Sequence, residues 1–148
     1  NFSKTQRLRV MEERSRIMEQ LRENTRRRVL AFVQDTSRYH PLLRDLIRQA
    51  LLGVRADAVV RTRREDAAAV RGMLREAEEW YAARAGARLR VTLSDDPLDA
   101  AEAWGGVVVT SQDGHIICNL TLACRTRNCF ADQLPAVRYF LFNAAAVA

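Results

Sequence analysis

Between Lys4 and His40 the chain holds neither glycine nor proline, and its apolar positions recur at helical spacing. Leu8, Met11, Met18, Leu21, Val29, Phe32, Val33 and Tyr39 carry that pattern. Met11, Met18, Thr25, Phe32, Tyr39 and Leu46 stand seven apart, a heptad seam weakened at Thr25 and at Arg26-Arg27-Arg28. The spacing predicts one helix over residues 4–40, about 55 Å long at roughly 1.5 Å per residue. A chain of 148 residues makes a globule too small to cover such a helix. The seam at Met11, Met18, Leu21, Val29, Phe32 and Val33 therefore points to a partner helix, and a helix folded back on its own domain is the alternative.

Pro41 removes a backbone donor and disfavours helix at His40, which predicts a kink or break near Thr36–Pro41. A second helix is expected from Pro41 to about Leu52, with a broad apolar face and Gly53 as its stop. Beyond it the period changes. Residues 58–63 read as a strand, Glu65 and Asp66 open a helix whose buried stripe is Val70, Met73, Leu74, Ala77 and Tyr81, and residues 88–93 alternate as a second strand. Strand, helix and strand of this length imply a right-handed crossover and a parallel pair. After a short acidic stretch, residues 107–110 and 115–118 flank Asp113-Gly114 as a hairpin. A last helix, capped by Asn119 or Thr121, carries Leu122, Phe130, Leu134, Val137 and Leu141, with a kink or new segment at Pro135. The fold class is α+β. A long N-terminal helix of the partner coiled-coil kind (residues 1–40) precedes a small mixed sheet of about four strands with flanking helices (residues 41–148).

Charge adds an asymmetry. The 24 basic residues, all arginine except Lys4, outnumber the 18 acidic ones for a net +6. The excess is +5 in residues 1–40, whereas residues 91–148 carry −3, which suggests surfaces with different partners. No run is long and apolar enough for a membrane span, and no leader pattern opens the sequence. Three cysteines without metal-like clustering argue against a disulfide scaffold.

Candidate chemistry is thin. His40 and His115 lack partners at ligand spacing, and Cys118, Cys124 and Cys129 do not form a metal knuckle. No catalytic residue, cofactor site or metal site is expected. Arg26–Arg28 and the Arg61, Arg63, Arg64 cluster could neutralise phosphates, so an Arg-rich nucleic-acid-binding module is one alternative. No aromatics interleave for base stacking, and nearby acids make salt-bridged interface residues the plainer account. A small enzyme built on His115 and Cys118 is a third reading.

Several runs, taken in order, resemble the E subunit of eukaryotic vacuolar-type proton ATPases (V-ATPases). They are Arg7-Leu8-Arg9-Val10-Met11, the segment from Tyr39 to Leu52, Val60-Arg61-Thr62-Arg63-Arg64-Glu65-Asp66, and Gly105-Gly106-Val107-Val108 with Asp113-Gly114 and Ile117-Cys118. Leu134-Pro135-Ala136-Val137-Arg138-Tyr139-Phe140-Leu141-Phe142 completes the set. The chain departs from the family at Pro41, at Leu120 and Ala123, where a helix cap and acid are lost, and at Asn143. Asn119 is expected to take over that cap. The resemblance implies a non-catalytic peripheral-stalk (stator) subunit and the C-terminal portion of the family's chain. It implies pairing with the helical G subunit along the helix, and anchoring of the catalytic head at the B subunit. The C and H subunits would be reached through the N-terminal half. It further implies a place on the cytosolic face of acidic-organelle membranes, which the chain touches only through the complex. Candidate docking residues on this reading are Arg61, Arg63, Arg64, Gly105, Gly106 and Arg138.

Overall fold

The computed structural model describes residues 2–128. Arg138 and the expected positions of Phe130, Leu134, Pro135, Val137 and Leu141 lie outside them. Helix α1 runs Phe2–Gln34 and α2 runs Thr36–Val54. Strand β1 (Ala58–Arg61) leads through a 3-10 turn (Arg64–Asp66) into α3 (Ala67–Ala85). Strand β2 (Val91–Leu93), the single turn α4 (Ala100–Ala103), β3 (Gly106–Ser111) and β4 (Ile117–Thr121) follow. A final helix, α5, is described over 122–128. The molecule is α+β, as its periodicity predicts.

The sheet order is β2-β1-β3-β4. Strands β1 and β2 are parallel and joined through α3, while β3 is antiparallel to both β1 and β4. Alternation sends Ala58, Val60, Val91, Val107 and Val109 to one face, where all five are buried. Helices α2 and α3 cover that face through Leu43, Leu46, Ile47, Leu51 and Val54 on one and Val70, Leu74, Ala77 and Tyr81 on the other. No described helix covers the opposite face, which carries Val59, Thr92, Thr110 and Ile117.

Four of the boundaries that differ from the pattern reading have a local reason. The helix breaks at Asp35 (φ −85°, ψ 89°) and not at the proline. The Asp35 carbonyl starts the new helix by accepting from Arg38 and Tyr39 N–H groups, and its carboxylate accepts the Ser37 hydroxyl. Pro41 sits inside α2 at an exposed position, where its missing donor removes one helical hydrogen bond. Gly53 is not the stop either: α2 runs through it and ends at Arg55, which takes the left-handed conformation (φ 54°) and donates to the Leu51 carbonyl. Strand β2 begins only at Val91, because the Asp57 carboxylate holds the Arg90 N–H just ahead of it. Strand β4 starts two residues late, because the Asp113 carboxylate accepts from the Ser111 hydroxyl and the His115 N–H and so draws His115 into the turn. Hydrogen bonds to Asp113 hold its carboxyl below the usual range.

Candidate functional site

Two features stand out: a buried polar node in the head, meaning the sheet with the helices packed on it, and an uncovered apolar stretch on α1.

The node joins three chain segments. Tyr39, in the first turn of α2, donates its hydroxyl to Asp66 Oδ2 at 2.7 Å and accepts the Gly106 N–H at 2.9 Å. Arg63 grips the same carboxylate with two hydrogen bonds, both 2.8 Å, and its guanidinium lies 5.6 Å from the Tyr39 ring centroid. Tyr39 and Asp66 are buried, a setting in which a polar group needs partners. Both have them. Burial pushes the tyrosine hydroxyl well above its ordinary value; Asp66 acts in the same direction and the Gly106 N–H opposes. The bond to Asp66 raises Arg63 in turn.

The two glycines belong to this node. Gly105 has φ +147°, and a Cβ there would meet the Tyr39 hydroxyl, Val33 and Leu122 at 2.9–3.2 Å. Gly106 has φ +86°, and a Cβ would run into the Leu120 carbonyl and Thr121 Cα. Only glycine lets β3 start this close to α2 and to the beginning of α5. The start of α5 is fixed by Thr121, whose hydroxyl oxygen accepts the Cys124 N–H at 3.2 Å. Asn119 does not take over the cap itself. Its side-chain oxygen accepts from both the N–H and the hydroxyl of Thr121 and so orients the residue that does.

Of the residues expected at a docking surface, Arg63, Gly105 and Gly106 thus face inward and hold the head together. Arg61 and Arg64 are at the surface, with Arg61 paired to Asp96 at 3.1 Å. Of those expected on the partner seam, Val33 is buried in the head's core, and Phe32 and Val29 pack against it. The Phe32 ring meets Tyr39 edge-on, with centroids 6.5 Å apart. Met18 is half-buried, while Met11 (61% exposed) and Leu21 (37%) face outward, joined by Leu8 (61%) and Val10 (46%). The heptad pattern did not separate these groups, because one register runs from the free helix into the core. Leu8 and Val10 were readable from the Arg-Leu-Arg-Val-Met run, and Val10 was missed because it falls off the heptad positions.

The basic clusters are partly neutralised. Arg26 and Arg27 both approach Glu23, at 2.7 and 3.5 Å, and the hydrogen bond from Arg26 lowers that carboxylate. The cysteine reading fares no better. Cys118 packs against the core, and burial pushes its thiol up, away from a reactive thiolate. His115 lies in the exposed turn, 3.6 Å from Asp113. Among the described residues no group of three His, Cys, Asp or Glu could hold a metal ion. No described helix is long and apolar enough to cross a membrane.

Comparison with known proteins gives a consistent result. The family model described as ATP synthase (E/31 kDa) subunit matches residues 1–142. The chain is 32% identical over 160 residues to V-type proton ATPase subunit E3 of Arabidopsis thaliana, covering 96% of this chain and 68% of that protein. It is 32% identical over 150 residues to subunit E1 of the same plant, covering 93% and 65%. Against the V-type proton ATPase E subunit of Candida albicans the identity is 24% over 138 residues, covering 93% and 61%. The chain therefore spans about two thirds of the length of these curated relatives.

Proposed function

The chain belongs to the ATP synthase (E/31 kDa) subunit family, and from that premise we propose that it is a non-catalytic peripheral-stalk subunit of a vacuolar-type proton-pumping ATPase. Helix α1 pairs with the slender helical G subunit, and the α/β head, residues 41–148 together with the stretch from Val33 to His40 that packs into it, anchors the catalytic head at the B subunit. Within the complex the chain lies on the cytosolic face of the membrane.

One observation carries the reading. Helix α1 is 33 residues long, about 50 Å at roughly 1.5 Å per residue, yet Leu8, Val10 and Met11 stay exposed. A large apolar side chain gains about 1.5–3 kcal/mol when moved out of water. Leaving several on one stretch of helix favours a second helix laid against them. A stator must also transmit load without slipping. The Tyr39–Asp66–Arg63 node gives α2 a rigid seat in the head, next to the point where α1 enters.

Co-expression with a candidate G subunit tests this. The two chains should purify together, and cross-links should run along residues 4–28. Leu8→Asp with Met11→Asp should weaken the pair about 100-fold, from roughly 3 kcal/mol of lost burial, while leaving the melting temperature of the head unchanged. Undiminished affinity would remove α1 as the pairing surface. Phe32 and Val33 are unsuitable for this test, since charging them would unfold the head itself.

A further inference from the structure

The sheet has two outer strands, and they are finished differently. On β2, the backbone N–H of Val91 is taken by Glu78 Oε1 at 2.8 Å, and the Arg90 N–H beside it by Asp57. That strand is three residues long. Such an edge offers a partner little: it is short, and its first outward N–H is taken by a side chain. Strand β4, at the other margin, is five residues long and carries no proline and no charge: Ile117-Cys118-Asn119-Leu120-Thr121.

Register fixes which of its backbone groups look outward. The Ser111 N–H donates to the Ile116 carbonyl, so that pair is a hydrogen-bonded one, and the alternation of an antiparallel ladder makes Thr110–Ile117 and Val108–Asn119 the other kind. The N–H and C=O groups of Ile117 and Asn119 therefore point away from β3, and no described residue bonds them. At the next such position, the Thr121 N–H is already taken by the Asn119 side chain. Ile117 is 67% exposed and Ile116 43%, the only large apolar residues so exposed among those described outside α1. Native edges are ordinarily blunted by charge, proline or a bulge; among the described residues nothing of that kind blunts this one at Ile117 and Asn119, and its hairpin turn is already fixed by Ser111 and Asp113. A fixed edge loses little entropy when a partner binds.

We propose that β4 is an acceptor edge: an extended strand of the catalytic-head subunit pairs with Ile117 and Asn119 through main-chain hydrogen bonds, with an apolar side chain packing over Ile117. The uncovered row Thr92, Val59, Thr110 and Ile117 continues this surface across the sheet, and that neutral, β-branched row suits an apolar strand better than a charged helix. The site rests on the stalk reading given above and specifies where the head takes hold.

The test uses the full chain, co-purified with the G subunit and then with the B subunit. Amide hydrogen exchange at Ile117 and Asn119 should be fast in the chain alone and slow at least tenfold once the B subunit is bound. Ile117→Lys should weaken capture of the B subunit at least tenfold, with unchanged pairing to the G subunit and an unchanged melting temperature. If the B subunit binds while both amides still exchange freely, the edge proposal is overturned and the stalk reading stands. If the B subunit is not captured by the unaltered chain at all, the head-anchoring reading itself fails.

Discussion

At the scale of single residues, the node around Tyr39 makes two measurable statements. A free tyrosine loses its proton near pH 10, whereas burial holds the Tyr39 hydroxyl protonated well beyond that. Above about pH 10 the unfolded chain therefore releases a proton that the folded chain keeps, and stability falls as pH rises. Below that range the contribution is fully present. Tyr39→Phe should flatten this alkaline loss in urea titrations. It should also lower stability at neutral pH by about 1–3 kcal/mol, because the Gly106 N–H is left without an acceptor. An alkaline slope identical in the variant would mean that Tyr39 is not the group responsible. Arg63→Ala should cost more, about 3–5 kcal/mol, since it strands a buried carboxylate. Little of this was legible in the sequence. Arg63 and Asp66 look like a surface ion pair at a helix start, and nothing in the string places Tyr39, 27 residues earlier, against them. Gly105 and Gly106 stood out in the sequence as part of the family resemblance and as docking candidates, whereas their positive φ values serve the packing of the node.

At the scale of elements, the glycines separate packing from propensity. Gly72 lies on the exposed face of α3, and a Cβ added there would meet nothing within 4 Å. Gly72→Ala should therefore stabilise by about 0.5–1 kcal/mol, the ordinary helix gain. Gly106→Ala combines a left-handed backbone with a collision against Leu120, and should cost at least about 2–3 kcal/mol. Thermal unfolding of the two variants should move in opposite directions; a shared direction would contradict the geometry. The elements themselves were readable where period and length agreed: the long helix, the α3 stripe at Val70, Leu74, Ala77 and Tyr81, and the Asp-Gly hairpin. Their ends were not. Local hydrogen bonds set them: the Asp35 carbonyl accepts from Arg38 and Tyr39, the Arg55 N–H donates to Leu51, Asp57 takes the Arg90 N–H, and Asp113 holds the turn. An acidic residue near a boundary does not announce which backbone or hydroxyl group it will hold.

At the scale of the whole molecule, the large apolar side chains of α2 are mostly buried, whereas Leu8, Val10, Met11 and Leu21 of α1 are exposed. The head buries Val33, Tyr39 and Leu46, the last two in the same heptad register that leaves Met11 exposed. Sequence periodicity alone could not divide intramolecular from intermolecular contacts along one continuous stripe. The central claim is that residues 2–28 complete their packing only on a second chain. Amide hydrogen exchange along α1, measured on the isolated chain and on its purified pair with the G subunit, tests this most directly. Amides of residues 5–28 should exchange at least 100-fold more slowly in the pair, while those of α2 change little. Equal protection of α1 and α2 in the isolated monomer, with no gain on pairing, would contradict the account.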